Sequence, residues 1–195
     1  MSWFHASTTA SDARNYASAG EIVACFHDHR GFLGKLAFLI TGDQAMADQA
    51  IVKACEITLR GNSPFRDWLL EWAKAVTITS AISQRAGAIR LCEAGYKDRP
   101  CNHAEHLWQG DAGERAASLD LVFQADGQEL IAQLDPLCRA VLVLRVSIRS
   151  SIQDCALRLN VSRGAVLGAN CHAMTWLHDC YMKPVEDNHN ASNAF

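Results

Sequence analysis

The spacing of the apolar residues is the feature that most limits how this chain can fold. Between residues 21 and 40 they recur every three or four positions, as Leu33, Leu36 and Ile40 do, which is the period of one face of a helix. The same period returns at residues 45–59 and 65–85, after the breaks TGD and RGNSPF. No convincing strand pattern, in which apolar and polar residues alternate, is present. The sequence therefore predicts an all-α fold.

A strong helix signal in the second half of the chain is LDPLCRAVLVLRVSI, residues 134–148. Asp135 is placed to cap this helix, and Pro136 fits its first turn, where a missing amide proton is tolerated. The apolar stripe of the helix consists of Leu137, Val141, Leu144 and Ile148. We therefore predict a helix that begins directly after Asp135.

Two short amphipathic segments follow, separated by LNVS at residues 159–162. In the first, Ser151 and Asp154 have the spacing of a capping box, and in the second Ser162 is placed as the N-cap. Their apolar faces are formed by Ile152, Cys155, Ala156 and Leu159, and by Val166, Asn170, Ala173 and Leu177. Such closely joined helices form either a helix-turn-helix or an ordinary αα-hairpin within a bundle, and the pattern alone leaves both open.

Acidic residues concentrate in the middle of the chain. Residues 91–134 carry three Lys and Arg against eight Asp and Glu, whereas the parts before and after them are close to neutral. Much of this stretch also has the Gly, Pro, Asn and Asp content of a loop. We therefore predict, in order, an N-terminal extension (1–20), a small helical domain (21–86), an acidic linker (87–118), a second small helical domain (119–182) and a polar tail (183–195).

The composition favours a cytoplasmic protein. The N-terminus lacks the basic start and apolar run of a signal peptide, and no apolar run reaches the roughly 18 residues of a membrane span. Cysteines such as Cys25, Cys55 and Cys138 lie on apolar helical faces, as reduced cysteines that behave like small apolar residues do. We expect no disulfide framework and no contact with a membrane.

The sequence gives little support for a metal site or an enzyme. Cys92, Cys101, His103 and His106 lie close together in the predicted linker, but they lack the Cys-x-x-Cys spacing that is typical of zinc knuckles. We find no nucleophile elbow and no phosphate-binding loop. We therefore predict no cofactor, no metal and no catalytic activity.

The order of the predicted helices is similar to that of one protein family. Residues 134–177, LDPLCRAVLVLRVSIRSSIQDCALRLNVSRGAVLGANCHAMTWL, resemble region 4 of the extracytoplasmic-function sigma factors, in which a Leu-Pro-containing helix precedes a helix-turn-helix. LITGDQAMADQAIVKACEITLR at residues 39–60 and FRDWLLEWAKAVTITSAISQR at residues 65–85 resemble the two halves of region 2. Both matches occur in the order of the family.

The resemblance implies a subunit of bacterial RNA polymerase that performs no covalent chemistry. In this family region 2 binds the core enzyme and opens the −10 element, and region 4 places a recognition helix in the major groove of the −35 element. The matching positions for the core enzyme are Asp48, Gln49, Val52 and Lys53, and those for the −10 element are Trp72, Lys74 and Arg85. The matching positions for the −35 element are Ser162, Arg163, Leu167 and His172, with Arg145 and Arg149 placed for phosphates. An anti-sigma factor is a further candidate partner.

Departures from the family pattern leave a second interpretation open. QAIVKA at residues 49–54 has a lysine where the family has glutamate, and the predicted recognition helix offers Arg163 but few other cations. Because phosphate neutralisation by Lys and Arg supplies most non-specific DNA affinity, we expect weak promoter binding by the protein alone. The alternatives are a sigma-like scaffold that acts only through protein contacts and a regulator with another type of helix-turn-helix. Trp68 and Trp72 fit either core packing or stacking on an unpaired base.

Overall fold

The computed structural model describes residues 15–98 and 125–182, and these residues form helices connected by short turns. Tyr16 and Phe65 form one isolated antiparallel bridge, and no strand occurs in the described ranges, so the all-α prediction is confirmed there. No helix within these ranges is both long and apolar enough to cross a bilayer. Residues 15–98 and 125–182 contain eight α-helices: α1 (Ala19–Asp28), α2 (Arg30–Thr41), α3 (Gln44–Arg60), α4 (Leu69–Cys92), α5 (Ala125–Ala132), α6 (Pro136–Ser147), α7 (Ile152–Leu159) and α8 (Arg163–Met182).

The predicted helix caps of the second half are confirmed. The Asp135 carboxylate accepts hydrogen bonds from the amides of Leu137 and Cys138 at 2.8 and 3.0 Å, and Pro136 is the first residue of α6. Ser151 and Asp154 form both hydrogen bonds of a capping box at the start of α7. These caps satisfy amides that have no partner within the helix, and they fix where α6 and α7 begin.

The region between residues 21 and 40 is two helices, whereas the sequence predicted one. α1 ends at Asp28. The His29 amide (φ −100°, ψ 12°) donates to the Cys25 carbonyl at 3.1 Å, and the His29 carbonyl accepts from the Leu33 amide of α2 at 2.9 Å. The apolar positions on both sides of the break face the same core, among them Phe26 and Leu33, which is why the sequence period runs through it.

The predicted boundary of the acidic linker at residue 87 is also corrected. α4 continues through Gly87 to Cys92 and is followed by a short 3₁₀ helix, Glu93–Gly95. Ile89 is fully buried, and this burial offsets the roughly 1 kcal/mol that a glycine costs a helix relative to alanine. Residues 99–118 of the predicted linker, together with residues 1–14 and 183–195, lie outside the described residues.

Residues from both predicted domains contribute to one buried apolar cluster, in which α6 packs against α2 and α4. Arg139 of α6 is only 6% exposed, and its guanidinium lies over Gly42, the left-handed C-cap of α2 (φ 67°). A Cβ atom at Gly42 would lie 2.9 Å from Arg139 Cζ. Burial lowers the pKa of Arg139, and the nearby positive charge of Arg85 lowers it further. A cation therefore lies at the negative end of the α2 dipole and joins the two halves.

Candidate functional site

A groove between α3 and α4 contains all four residues that the resemblance assigns to the core enzyme. We call it the α3–α4 groove; its volume is about 690 Å³. Val52 follows Asp48 by four residues, and Lys53 follows Gln49 by four. This spacing of about one helical turn places all four side chains on one face of α3. The opposite wall and floor are formed by Thr79, Ser80, Ser83 and Gln84 of α4. The spacing of residues along α3 does not indicate which residues of α4 lie on the other side of this groove.

The α3–α4 groove exposes apolar surface between charged side chains. Val52 and Ile57 are 60% and 44% exposed, and Lys53 and Glu56 provide charges of opposite sign. Ser80 is buried at the floor, and its hydroxyl has no hydrogen-bond partner among the described residues. An exposed apolar surface bordered by polar residues is suited to bind another protein, in particular the apolar face of a helix.

Four exposed aromatic side chains lie at or near the start of α4, and we call them together the aromatic surface: Tyr16, Phe65, Trp68 and Trp72. Tyr16 stacks on Phe65 with ring centroids 4.7 Å apart, and Trp68 meets Phe65 edge to face at 5.8 Å. Trp68 and Trp72 are 68% and 45% exposed, so the pair does not belong to the core. Exposed aromatic rings of this kind can stack on nucleic-acid bases or on apolar side chains of a protein.

The other two residues predicted for the −10 element lie apart from Trp72 in different surroundings. Lys74 Nζ lies 2.6 Å from Glu71 Oε1 and 5.4 Å from the centroid of the Phe32 ring. Arg85 lies eleven residues further along α4, about 16 Å at 1.5 Å per residue, and its Nε is buried without a hydrogen-bond partner in the described ranges. The three residues therefore do not form one site.

The predicted turn between α7 and α8 is confirmed in its local geometry. Asn160 adopts the left-handed conformation (φ 52°) and ends α7, and the Ser162 hydroxyl accepts a hydrogen bond from the Ala165 amide at the start of α8. One face of α8 is buried against the core: Val166, Ala169, Asn170, Ala173 and Leu177. The Cys138 thiol donates to the Ala169 carbonyl at 3.4 Å, so this face packs on α6.

A second face of α8 contacts residues 93–98, which follow α4; we call them the docking segment. The Ser162 amide donates to Glu93 Oε1 at 2.8 Å, and this bond lowers the pKa of Glu93. A Cβ atom at Gly168 would lie 2.5 Å from the Tyr96 carbonyl oxygen, and one at Gly164 would lie 3.1 Å from that of Lys97. The Tyr96 ring also meets the ring of His172, at 5.7 Å between centroids. Backbone and side chains of the docking segment therefore lie directly on α8.

Tyr96 anchors the docking segment. Its ring is buried, and its hydroxyl donates to the Asp135 carboxylate that caps α6. Burial and this hydrogen bond raise the pKa of Tyr96 well above its ordinary value. Burial acts to raise the pKa of Asp135, but the hydrogen bonds from Tyr96 and from the amides of α6 lower it overall. Tyr96 is therefore a neutral donor bound to an ionised acceptor.

The remaining residues predicted to contact DNA differ in solvent exposure. Arg163 is exposed at the start of α8, and Leu167 is half-buried. Arg149 is exposed with a left-handed backbone (φ 51°). Arg145 is half-buried, and its Nη1 donates to the Ser150 carbonyl at 2.8 Å, so its guanidinium holds the turn between α6 and α7.

Most of the candidate zinc ligands lie outside the described ranges. Of the four candidate zinc ligands, only Cys92 lies within them, and no group of three His, Cys, Asp or Glu side chains converges there. Burial raises the pKa values of the Cys92 and Cys138 thiols, which keeps both protonated. No family model, curated protein or solved structure matches this chain.

Proposed function

We propose that this protein is a sigma factor of the extracytoplasmic-function type, which binds bacterial core RNA polymerase and directs transcription initiation at promoters. The observation that carries the proposal is the α3–α4 groove, in which Asp48, Gln49, Val52 and Lys53 line one wall. Their resemblance to the core-binding segment was recognised from the sequence alone, and the fold gives that segment an exposed apolar surface. We expect Val52 to be a central contact, because its side chain is 60% exposed and binding would remove that apolar surface from water.

The aromatic surface supports a role in promoter DNA binding. It lies at the start of the helix that resembles the −10-reading segment, and Trp72 is one of its members. Base stacking on an exposed ring is worth about 1–3 kcal/mol per base and requires little sequence information. Arg163 and Arg149 provide exposed charges on the part of the fold that resembles region 4.

One observation favours the second candidate, a sigma-like helical protein that acts through protein partners without reading DNA. The docking segment covers a face of α8 that includes Ser162 and His172, two of the four predicted reading positions. A protein of this kind retains the scaffold and the α3–α4 groove but has no use for a free recognition helix.

Binding of the full-length chain to bacterial core RNA polymerase tests the proposal. We expect one-to-one binding, measured by fluorescence anisotropy, and a loss of at least about tenfold (1.4 kcal/mol) for Val52→Asp, which places a charge in the centre of the α3–α4 groove. Leu157→Asp is the matched control, because Leu157 is also an exposed apolar residue on a helix but lies on α7, outside the groove. Lys53→Glu tests the position at which the sequence departs from the family.

The possible results separate the two candidates. If core polymerase does not bind at micromolar concentration, the sigma-factor proposal is wrong and other protein partners of the α3–α4 groove become the target. If the wild type and Val52→Asp bind equally, the polymerase uses another surface. Strong binding followed by promoter opening in the presence of the protein would establish the first candidate.

A further inference from the structure

We infer that the docking segment is autoinhibitory: it keeps α8 out of the DNA major groove until residues 93–98 are displaced. This inference rests on the proposed function, since it concerns the DNA-reading step. It is carried by the contacts of Glu93, Tyr96 and Lys97 with α8, which connect the end of α4 to the predicted recognition helix.

The docking segment covers two of the four predicted reading positions, Ser162 and His172, and contacts the helix backbone between them. Gly164, Gly168 and His172 are four residues apart, so they form one row along the helix. Ser162 precedes this row. Amides at the start of a helix can bind DNA phosphates, but the Ser162 amide already donates to Glu93. The docking segment therefore contacts the Ser162 amide, Gly168 and His172, whereas Arg163 remains exposed.

The space available in DNA makes this arrangement incompatible with binding through that face. The major groove is about 12 Å wide, and an α-helix with its side chains has a diameter of about 10–12 Å, so the groove admits the helix alone. At Gly168 and Gly164 the backbone of the docking segment approaches α8 so closely that only glycine fits without a shift. An additional layer of backbone on α8 cannot enter the major groove with it.

The docking segment is fixed by fewer buried residues than α8 is. Tyr96 is its only buried side chain in the described chain, whereas Lys97 and Asp98 are exposed and Glu93 is half-buried. The opposite face of α8 is held by five buried residues packed against the core. Displacing residues 93–98 exposes the Tyr96 ring and breaks its hydrogen bond to Asp135, but α8 remains attached to α6. Segments with few buried apolar contacts open at lower free energy than the core.

Glycine-to-alanine substitutions test the inference in the full-length protein. Gly168→Ala places a methyl group 2.5 Å from a backbone oxygen of Tyr96 and must displace the docking segment, while alanine itself favours the α8 helix. Gly87→Ala is the matched control, because Gly87 also lies within a helix but its Cβ position meets no atom within 4 Å. Gly164→Ala, at 3.1 Å from the Lys97 oxygen, is the milder variant and replaces Gly168→Ala if that variant does not fold.

Two measurements are made on each variant: hydrogen exchange of residues 93–98, and anisotropy of a fluorescein-labelled random-sequence DNA duplex at low salt. We expect exchange to rise in Gly168→Ala and the apparent Kd to fall about tenfold, because the apparent Kd is the intrinsic value divided by the fraction of molecules that are undocked. Gly164→Ala should lie between Gly168→Ala and the wild type. Gly87→Ala should change neither quantity.

Each other result overturns the inference in a recognisable way. Unchanged exchange in Gly168→Ala would show that the docking segment does not close on α8 in solution. Increased exchange with detectable but unchanged DNA affinity would show that the segment docks without blocking DNA, and the proposed DNA binding would stand. Increased exchange with no DNA binding by any variant would remove the proposed DNA-reading function, and the autoinhibitory role with it.

Discussion

Asp135 performs two structural tasks, and replacing it should cost more stability than replacing an ordinary helix cap. Its carboxylate accepts the Leu137 and Cys138 amides and the Tyr96 hydroxyl. Loss of an N-cap costs about 1 kcal/mol, and a buried hydroxyl left without its partner costs about 1–3 kcal/mol. We therefore expect Asp135→Ala to lower the free energy of unfolding by about 2–4 kcal/mol.

Asp43 provides the matched control for this prediction. Its carboxylate caps α3 by accepting the Met46 amide at 2.8 Å, and it has no second side-chain donor in the described part of the chain. Asp43→Ala should therefore cost about 1 kcal/mol. The difference between the two variants measures what Tyr96 adds.

Urea unfolding at pH 7, followed by circular dichroism, gives both values if the m-value is unchanged. Tyr96→Phe completes a double-mutant cycle with Asp135→Ala, and we expect a coupling energy of about 1 kcal/mol or more for residues in direct contact. If Asp135→Ala costs no more than Asp43→Ala, or if the cycle shows no coupling, the assigned role of the Tyr96 hydroxyl is wrong.

Three further outcomes can be checked by unfolding measurements. Leu36→Ala should cost about 2–5 kcal/mol, because Leu36 is fully buried in α2 and its loss leaves a cavity. Asn160→Ala should cost about 1–2 kcal/mol, since alanine disfavours the left-handed conformation, whereas Asn160→Gly should be close to neutral. Because the pKa of Asp135 is lowered in the folded protein, its contribution to stability is complete above its unfolded pKa of about 3.9 and is lost as the pH falls through the folded value. Asp135→Asn should therefore weaken the acid dependence of unfolding, and equal acid dependence in both proteins would contradict the assignment.

The features that could be predicted from the sequence are those determined over a few residues. The start of α6 at Asp135 and Pro136 and the capping box of Ser151 and Asp154 depend on side chains within one turn of the amides they bind. The break at His29 and the extension of α4 past Gly87 were missed. At both places the apolar residues are buried against residues distant in sequence, and the spacing of apolar residues along one helix does not predict such contacts.

In the candidate sites, too, the features set by local spacing can be predicted from the sequence, and the contacts between distant residues cannot. Asp48, Gln49, Val52 and Lys53 line one groove because their spacing places them on one face of α3, which can be predicted from the sequence. The composition around residues 93–98 predicts a loop, and nothing local to Tyr96 indicates that its ring contacts His172, 76 residues further along the chain. The signal that existed was the pair Gly164 and Gly168, since two glycines four residues apart on a helix allow another backbone to approach closely.

The contact between Arg139 and Gly42 has a consequence for the order in which the chain folds. α1 to α4 are consecutive and mostly contact one another, so they can associate after closing only short loops. Arg139 reaches the end of α2 across a separation of about a hundred residues, and closing so long a loop is slow because its entropic cost must be met before the contact forms. During synthesis on the ribosome, the first four helices emerge well before Arg139 does. The end of α2 and the flank of α4 that α6 covers are therefore exposed in the nascent chain, and they form the surface on which a chaperone would act.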